Sequence, residues 1–133
     1  TAYPTIVALE NGTVGLPCNI SLTTPNDNAI KLILWYKGSA LGSPIYSVDA
    51  RDTSPPRHFV AQEYRNRATF ELNYSGRSAT LVLSPLKTDD AGQYICRVDY
   101  KWTRTTASSV KLDVIGKCFL SLSLSLSSFF SLF

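Results

Sequence analysis

Few residues in the chain have chemistry to offer: three cysteines, one histidine and three Asn-x-Ser/Thr triplets among 133 residues. Cys18, Cys96 and Cys118 can oxidise, and an oxidised pair is a cross-link, not a reaction centre. Asn11-Gly12-Thr13, Asn19-Ile20-Ser21 and Asn73-Tyr74-Ser75 are acceptors for N-linked sugar, so Asn11, Asn19 and Asn73 are candidate glycosylation sites. Three such triplets beside a candidate disulfide point to the secretory route and an extracellular or cell-surface location. His58, in "SPPRHFV", has no cysteine or acid at ligand spacing, so it reads as a surface histidine in a loop and no metal is expected. No serine lies in a G-x-S-x-G elbow, and no glycine-rich phosphate loop occurs. An enzyme, a cofactor or a small-molecule substrate is therefore not expected. Lys101, Trp102 and Arg104 interleave positive charge with an aromatic ring, as single-strand nucleic-acid binders do. Three such residues on a net charge of +3 do not make a nucleic-acid surface.

The elements that position these residues are short strands. Composition is that of one globular domain, 44% hydrophobic and 17% charged. The chain has no methionine, so it is expected to be a processed product or a fragment; Thr1 to Leu9 show neither the charged nor the apolar region of a leader. In "TVGLPCNI" the residues Val14, Leu16, Cys18 and Ile20 alternate, the pattern of a half-buried strand. "KLILWYKG" puts Ile33 and Trp35 on one face and Leu34 and Tyr36 on the other. "SPIYSV", "RATFEL", "SATLVL", "QYICRVDY" and "SSVKLDVI" continue the series, the last two joined by a hairpin, and no helical period interrupts them. The stretch from Asp49 to Asn66 is Pro-rich and too polar for core. An all-β sandwich or barrel follows.

Spacing narrows the choice. Trp35 stands 17 residues after Cys18, and Cys96 stands 78 after it, the arrangement of an immunoglobulin-like β-sandwich with a disulfide between its sheets. The 78-residue separation leaves room for an extra strand pair after Trp35, so the variable type is expected over the constant type. In "TDDAGQYICRVDY", Tyr94 lies two before Cys96, so both point inward, and its hydroxyl can bond back to the preceding turn as a tyrosine corner. Asp90 is placed to pair with Arg67. Cys18, Trp35, Arg67, Asp90, Tyr94 and Cys96 thus hold the fold.

With Cys96 inward, Ile95, Arg97 and Asp99 point the other way, onto the outer face of the sheet of strands C, F and G. Parity from Trp35 puts Leu34 and Tyr36 there too, and Tyr46 is expected to join them with Ile45 inward. Trp102 and Arg104 on the hairpin complete the rim. An aliphatic and aromatic centre with charged edges is how partner-binding patches look, unless the 49–66 loop or the tail covers it. Asn19 and Asn73 are expected on the opposite sheet, of strands A, B, E and D, with Asn11 at its edge turn. Sugars there would leave the C-F-G face bare.

Taken together, "LILWYKGSALGSPIYSVDARD", "RATFEL", "DAGQYICRVDYKWTRT" and "VKLDVI" resemble the first immunoglobulin domain of the sidestep family, arthropod cell-surface proteins of the nervous system. "PIYSVDAR" and "CRVDYK" are the more specific parts, and the resemblance spans about residues 5–115. It implies a recognition or adhesion module of axon-guidance type in a membrane-anchored parent. The partner would be a beaten-path-like immunoglobulin-domain protein, met through Tyr36, Tyr46, Arg97 and Asp99. A soluble immune-type or decoy domain binding through the 26–30, 49–57 and 101–105 loops is the alternative, and a homodimer through the same face is a third.

The domain is expected to end near residue 115. From Phe119 to Phe133 every residue is Phe, Leu or Ser, and six of these fifteen are serine, short of the roughly 20 apolar residues a spanning helix needs. All three residue types can be written in pyrimidine-only codons, and a CT repeat reads Leu-Ser-Leu-Ser. Gly116-Lys117 can be written GGTAAG, which resembles a splice donor. Residues 116–133, with Cys118 among them, are therefore expected to be intron read as protein. Transcript sequencing should show reads joining codon 115 or 116 to another immunoglobulin exon; abundant reads running through the tail would refute this.

Overall fold

The computed structural model describes residues 4–20, 30–51, 55–73 and 78–116. The tail from 117 onward, with Cys118, and most of the 26–30 loop lie outside the described residues. The described residues hold nine strands: β1 (Thr5–Leu9), β2 (Val14–Asn19), β3 (Ile30–Lys37), β4 (Tyr46–Asp49), β5 (Arg57–Val60), β6 (Ala68–Asn73), β7 (Ser78–Leu83), β8 (Gly92–Tyr100) and β9 (Thr106–Ile115). They form a six-stranded sheet in the order β1-β9-β8-β3-β4-β5 and a three-stranded sheet in the order β2-β7-β6. In strand letters, β3, β8 and β9 are C, F and G, β4 and β5 are the extra pair, and β2, β7 and β6 are B, E and D. Among the described residues no helix is long and apolar enough to cross a membrane.

The alternation seen in sequence is the alternation of burial. Along β2, Val14, Leu16 and Cys18 are buried and Gly15, Pro17 and Asn19 exposed. Along β8, Tyr94, Cys96, Val98 and Tyr100 are buried while Arg97 is exposed. These inward residues meet Ile33, Trp35, Val48, Phe70, Leu81, Val110 and Leu112 in one core between the sheets. Two edges differ from expectation. β1 pairs parallel with β9, Thr5 opposite Lys111 through Leu9 opposite Ile115, so the first strand extends the six-stranded sheet and not the other. Its alternation is satisfied equally well by either sheet, which is why sequence did not place it. The polar 49–66 stretch is also not a covering loop. It supplies β5 as an edge strand and buries Tyr64 in the core at the end of a single 3-10 turn.

Cys18 and Cys96 are bonded, with Cα atoms 5.7 Å apart. The bridge runs from β2 in one sheet to β8 in the other. Trp35 lies directly opposite Cys96 across the β3–β8 pair and is wholly buried in the same cluster. Closing a loop of 78 residues restricts the unfolded chain by roughly 4 kcal/mol in the chain-entropy model. Replacing both cysteines by alanine should lower the unfolding free energy by about that amount. Urea denaturation of the two proteins checks this, and an unchanged midpoint would show that the bridge is not a major stabilising contact.

Candidate functional site

The outer face of the six-stranded sheet is set by strand register. Leu34 lies between Arg97 on β8 and Ser47 on β4, and Ser47 lies opposite Phe59 on β5. One row along, Leu32 lies between Asp99 and Asp49, and Asp49 lies opposite Arg57. In the other direction Tyr36 lies opposite Ile95, and Ile95 opposite Ser109. Because cross-strand partners share a face, Leu32, Leu34, Tyr36, Ile95 and Phe59 form an apolar stripe oblique to the strands. Phe59 is 55% exposed, and Leu32, Leu34 and Ile95 are half-buried. Tyr36 is on this face but only 6% exposed, and it stands outside the inter-sheet core.

Charges border the stripe in pairs two residues apart, Arg97 and Asp99 on one face of β8 and Asp49 at the end of β4 with Arg51 just beyond it. Arg97 Nε donates to Asp99 Oδ1 at 3.0 Å, and the Thr105 hydroxyl donates to the same oxygen at 2.9 Å. Arg51 donates through Nε and Nη2 to the two oxygens of Asp49 at 3.1 and 2.9 Å. The bonds from the Arg51 side chain and backbone hold the Asp49 carboxyl down to about 2. Trp102, 69% exposed, and the exposed Arg104 sit on the β8–β9 hairpin, with the Lys101 ammonium 6.0 Å from the Trp102 ring centre.

β8 carries Ile95, Arg97 and Asp99, and its start is pinned by a polar knot. The Tyr94 hydroxyl donates to the Asp90 carbonyl. Arg67 grips the Asp90 carboxylate with Nη1 at 2.8 Å and Nη2 at 3.1 Å, and the Lys87 N–H adds a third bond at 2.8 Å. Arg67 also donates to the carbonyls of Pro85 and Glu63, both at 3.1 Å. The Lys37 ammonium donates to the Asp89 carbonyl from the neighbouring strand. Burial pushes the Asp90 carboxyl up, but the Arg67 and Lys87 bonds outweigh it and leave it below its ordinary value. Burial likewise pushes the Tyr94 phenol up, so it stays a neutral donor.

Tyr46 is not on the outer face. It is the cross-strand partner of the inward Trp35, is 4% exposed, and stacks with its centroid 5.9 Å from that of Phe70 in the opposite sheet. Ile45 is inward as expected, yet so is the residue after it. Counting by twos therefore fails where β4 begins: the Ile45 N–H bonds to the Trp35 carbonyl while Tyr46 lies opposite Trp35. His58 is no loop residue; it lies on β5 opposite the inward Val48, 2.6 Å from the Tyr46 hydroxyl through Nδ1. Leu32 on β3 and Phe59 beside His58 are outer-face residues that the sequence reading missed, Phe59 because a four-residue strand between prolines and arginines carries little periodic signal. Asn19 is exposed on the three-stranded sheet, in one row with Ser78 and the backbone of Asn73, whose side chain lies outside the described residues. Asn11 is exposed in the β1–β2 turn at φ 66°, a left-handed conformation that asparagine tolerates. Among the described residues no group of His, Cys, Asp or Glu is placed to hold a metal ion.

The family model for the immunoglobulin V-set domain matches residues 2–115. No curated protein matches the chain. Among solved structures, one from work on multimeric cell-adhesive interactions of VGSC beta subunits is similar with a TM-score of 0.63 at 21% identity, covering 85% of this chain and 92% of that one. At that identity the likeness is one of fold.

The knot under β8 makes a pH prediction. The folded-state Asp90 carboxyl lies below its unfolded value, so its contribution is complete above about pH 4 and is lost as pH falls through the lowered folded value. Stability measured by urea denaturation should fall over that acidic window. Asp90→Asn should lose about 3–5 kcal/mol at neutral pH, since it leaves Arg67 without its carboxylate, and should flatten the acid dependence. An equally steep acid loss in Asp90→Asn would place the titrating group elsewhere.

Proposed function

We infer that this chain, which belongs to the immunoglobulin V-set family, is a cell-surface recognition or adhesion module that binds a protein partner through the outer face of its six-stranded sheet. One observation carries the reading: the apolar stripe from Ile95 through Leu34 to Phe59, bordered by ion pairs already made within the domain. Such a stripe offers area that gains by losing water, while Arg97 and Asp99 set register and orientation at the rim. The solved adhesion structure of the same fold supports this reading of the class. The resemblance to the sidestep family narrows the proposal to axon guidance, with a beaten-path-like immunoglobulin domain as partner. Sugars on Asn19 and Asn73 would occupy the three-stranded sheet and keep contact to the opposite face. The exposed Trp102 favours a second reading, an immune-type domain that binds through its hairpin loops.

Surface binding of the glycosylated chain to a panel of beaten-path-like ectodomains separates these readings. Phe59→Ala and Arg97→Glu should each weaken a saturable interaction at least about tenfold, the usual cost of removing an interface anchor. Trp102→Ala should change it little. Loss confined to Trp102→Ala would favour the loop reading. Absence of binding, with sedimentation showing a dimer that Arg97→Glu dissociates, would make a second copy the partner.

A further inference from the structure

β1 and β5 are the terminal strands of the six-stranded sheet, and β2 and β6 those of the other. The free edge of a terminal strand is a template for another strand, and proteins blunt such edges with charge, proline or a bulge. Most of these strands carry such a device: β5 has the exposed Arg57 and His58, β2 has Pro17, and β6 has the exposed Glu71. β1, Thr-Ile-Val-Ala-Leu, has neither charge nor proline and pairs with β9 in unbroken register. On its outer side Val7 is 57% and Leu9 45% exposed.

The hydrogen bonds show which backbone groups this edge leaves open. The Pro4 carbonyl accepts from the Lys111 N–H, and the Glu10 N–H donates to the Ile115 carbonyl. Successive residues of a strand aim their backbone groups to opposite sides, so the even-numbered residues of β1 bond to β9. Thr5, Val7 and Leu9 aim theirs away from it, and the Leu9 carbonyl accordingly accepts from Gly12 in the following turn. A carbonyl has a second lone pair, so Leu9 keeps accepting capacity. The edge therefore offers N–H and C=O groups in a repeat that another strand meets.

Chemistry selects the occupant. An edge without charge gives a charged strand nothing to pair with, and β1 is itself a neutral strand that fits this edge when reversed. With Val7 facing Val7 and Thr5 facing Leu9, each facing pair exchanges both of its hydrogen bonds, and a two-fold axis relates the copies. No like charges meet, because Asp113, one strand further out beside Val7, lies 4.0 Å from the Lys111 ammonium of its own chain. We propose that β1 is a docking edge for β1 of a second copy, joining two six-stranded sheets into one. Cross-strand partners share a face, so the two Val7 side chains cover each other and both outer faces stay open on the same side. The β9 strands of the two copies run in opposite directions. Their C-terminal ends therefore leave the pair on opposite sides, as contact between two facing surfaces requires. A five-residue strand buries far less than the roughly 1,200 Å² of a stable interface, so the pair is weak and reversible.

Sedimentation and NMR of the full chain, made without N-linked sugar, test this over micromolar to millimolar concentration. The average mass should rise with concentration towards that of two chains, with concentration-dependent shifts at the Thr5, Val7 and Leu9 amides. Val7→Lys sets two like charges face to face at an exposed position and should weaken association about fivefold or more. Val7→Thr, uncharged and β-branched, should preserve it. Arg97→Glu on the outer face should leave it unchanged, so the result is independent of the partner binding inferred above. Association untouched by Val7→Lys, or lost through Arg97→Glu alone, would overturn the proposal. So would a chain that stays monomeric throughout; a Val7 amide that then resisted hydrogen exchange would show that another segment holds the edge.

Discussion

Strand β8 is held at three points within nine residues. Cys96 bonds it covalently to the other sheet, Tyr94 ties its start to the Asp90 turn, and Trp35 lies against it from β3. Every inward residue of β8 serves one of these attachments or the core around them. Because a strand cannot rotate without turning all its side chains over, fixing Tyr94 and Cys96 inward also fixes Ile95, Arg97 and Asp99 outward. The face that the domain presents to solvent is thus decided by contacts on its hidden side.

That face has an uncommon economy of charge. Arg97 pairs with Asp99 along β8, and Arg51, just beyond β4, pairs with Asp49 at its end. Exposed pairs of this kind add little to stability. Their effect is local: a side chain already engaged has less freedom to lose on contact and less unmet charge to strand under a partner. The apolar stripe between them is therefore bordered by groups whose orientation is set before any encounter.

How much of this was readable in advance depended on distance from an anchor. Cys18, Trp35 and Cys96 carry the spacing of an immunoglobulin sandwich, and parity counted from them placed Leu34, Tyr36, Ile95, Arg97 and Asp99 on the observed face. Parity failed for Tyr46, because counting across the turn between β3 and β4 assumed a regular ladder, and the Ile45–Trp35 bond interrupts it. β1 was left unplaced by the sequence because its five residues fit either edge. His58 and Phe59 were hidden by polar neighbours, since a short edge strand needs only two inward positions. His58 is exposed on that strand, and sequence gives no sign of the Tyr46 hydroxyl that lies 2.6 Å from its Nδ1.

The pairing of β1 with β9 also bears on how the domain carries load. β9 is ten residues long and is bonded on one side to β1, parallel, and on the other to β8, antiparallel. A pull on the chain beyond Gly116, resisted at the outer face, runs along the axis of β9. It loads both rows of hydrogen bonds in shear, so they must yield together and not one after another as in peeling. Resistance to force is a matter of unfolding rate, not of equilibrium stability. By lying beside β9 and not across the sandwich, the first strand gives the last one a second row of bonds at the end where tension would enter.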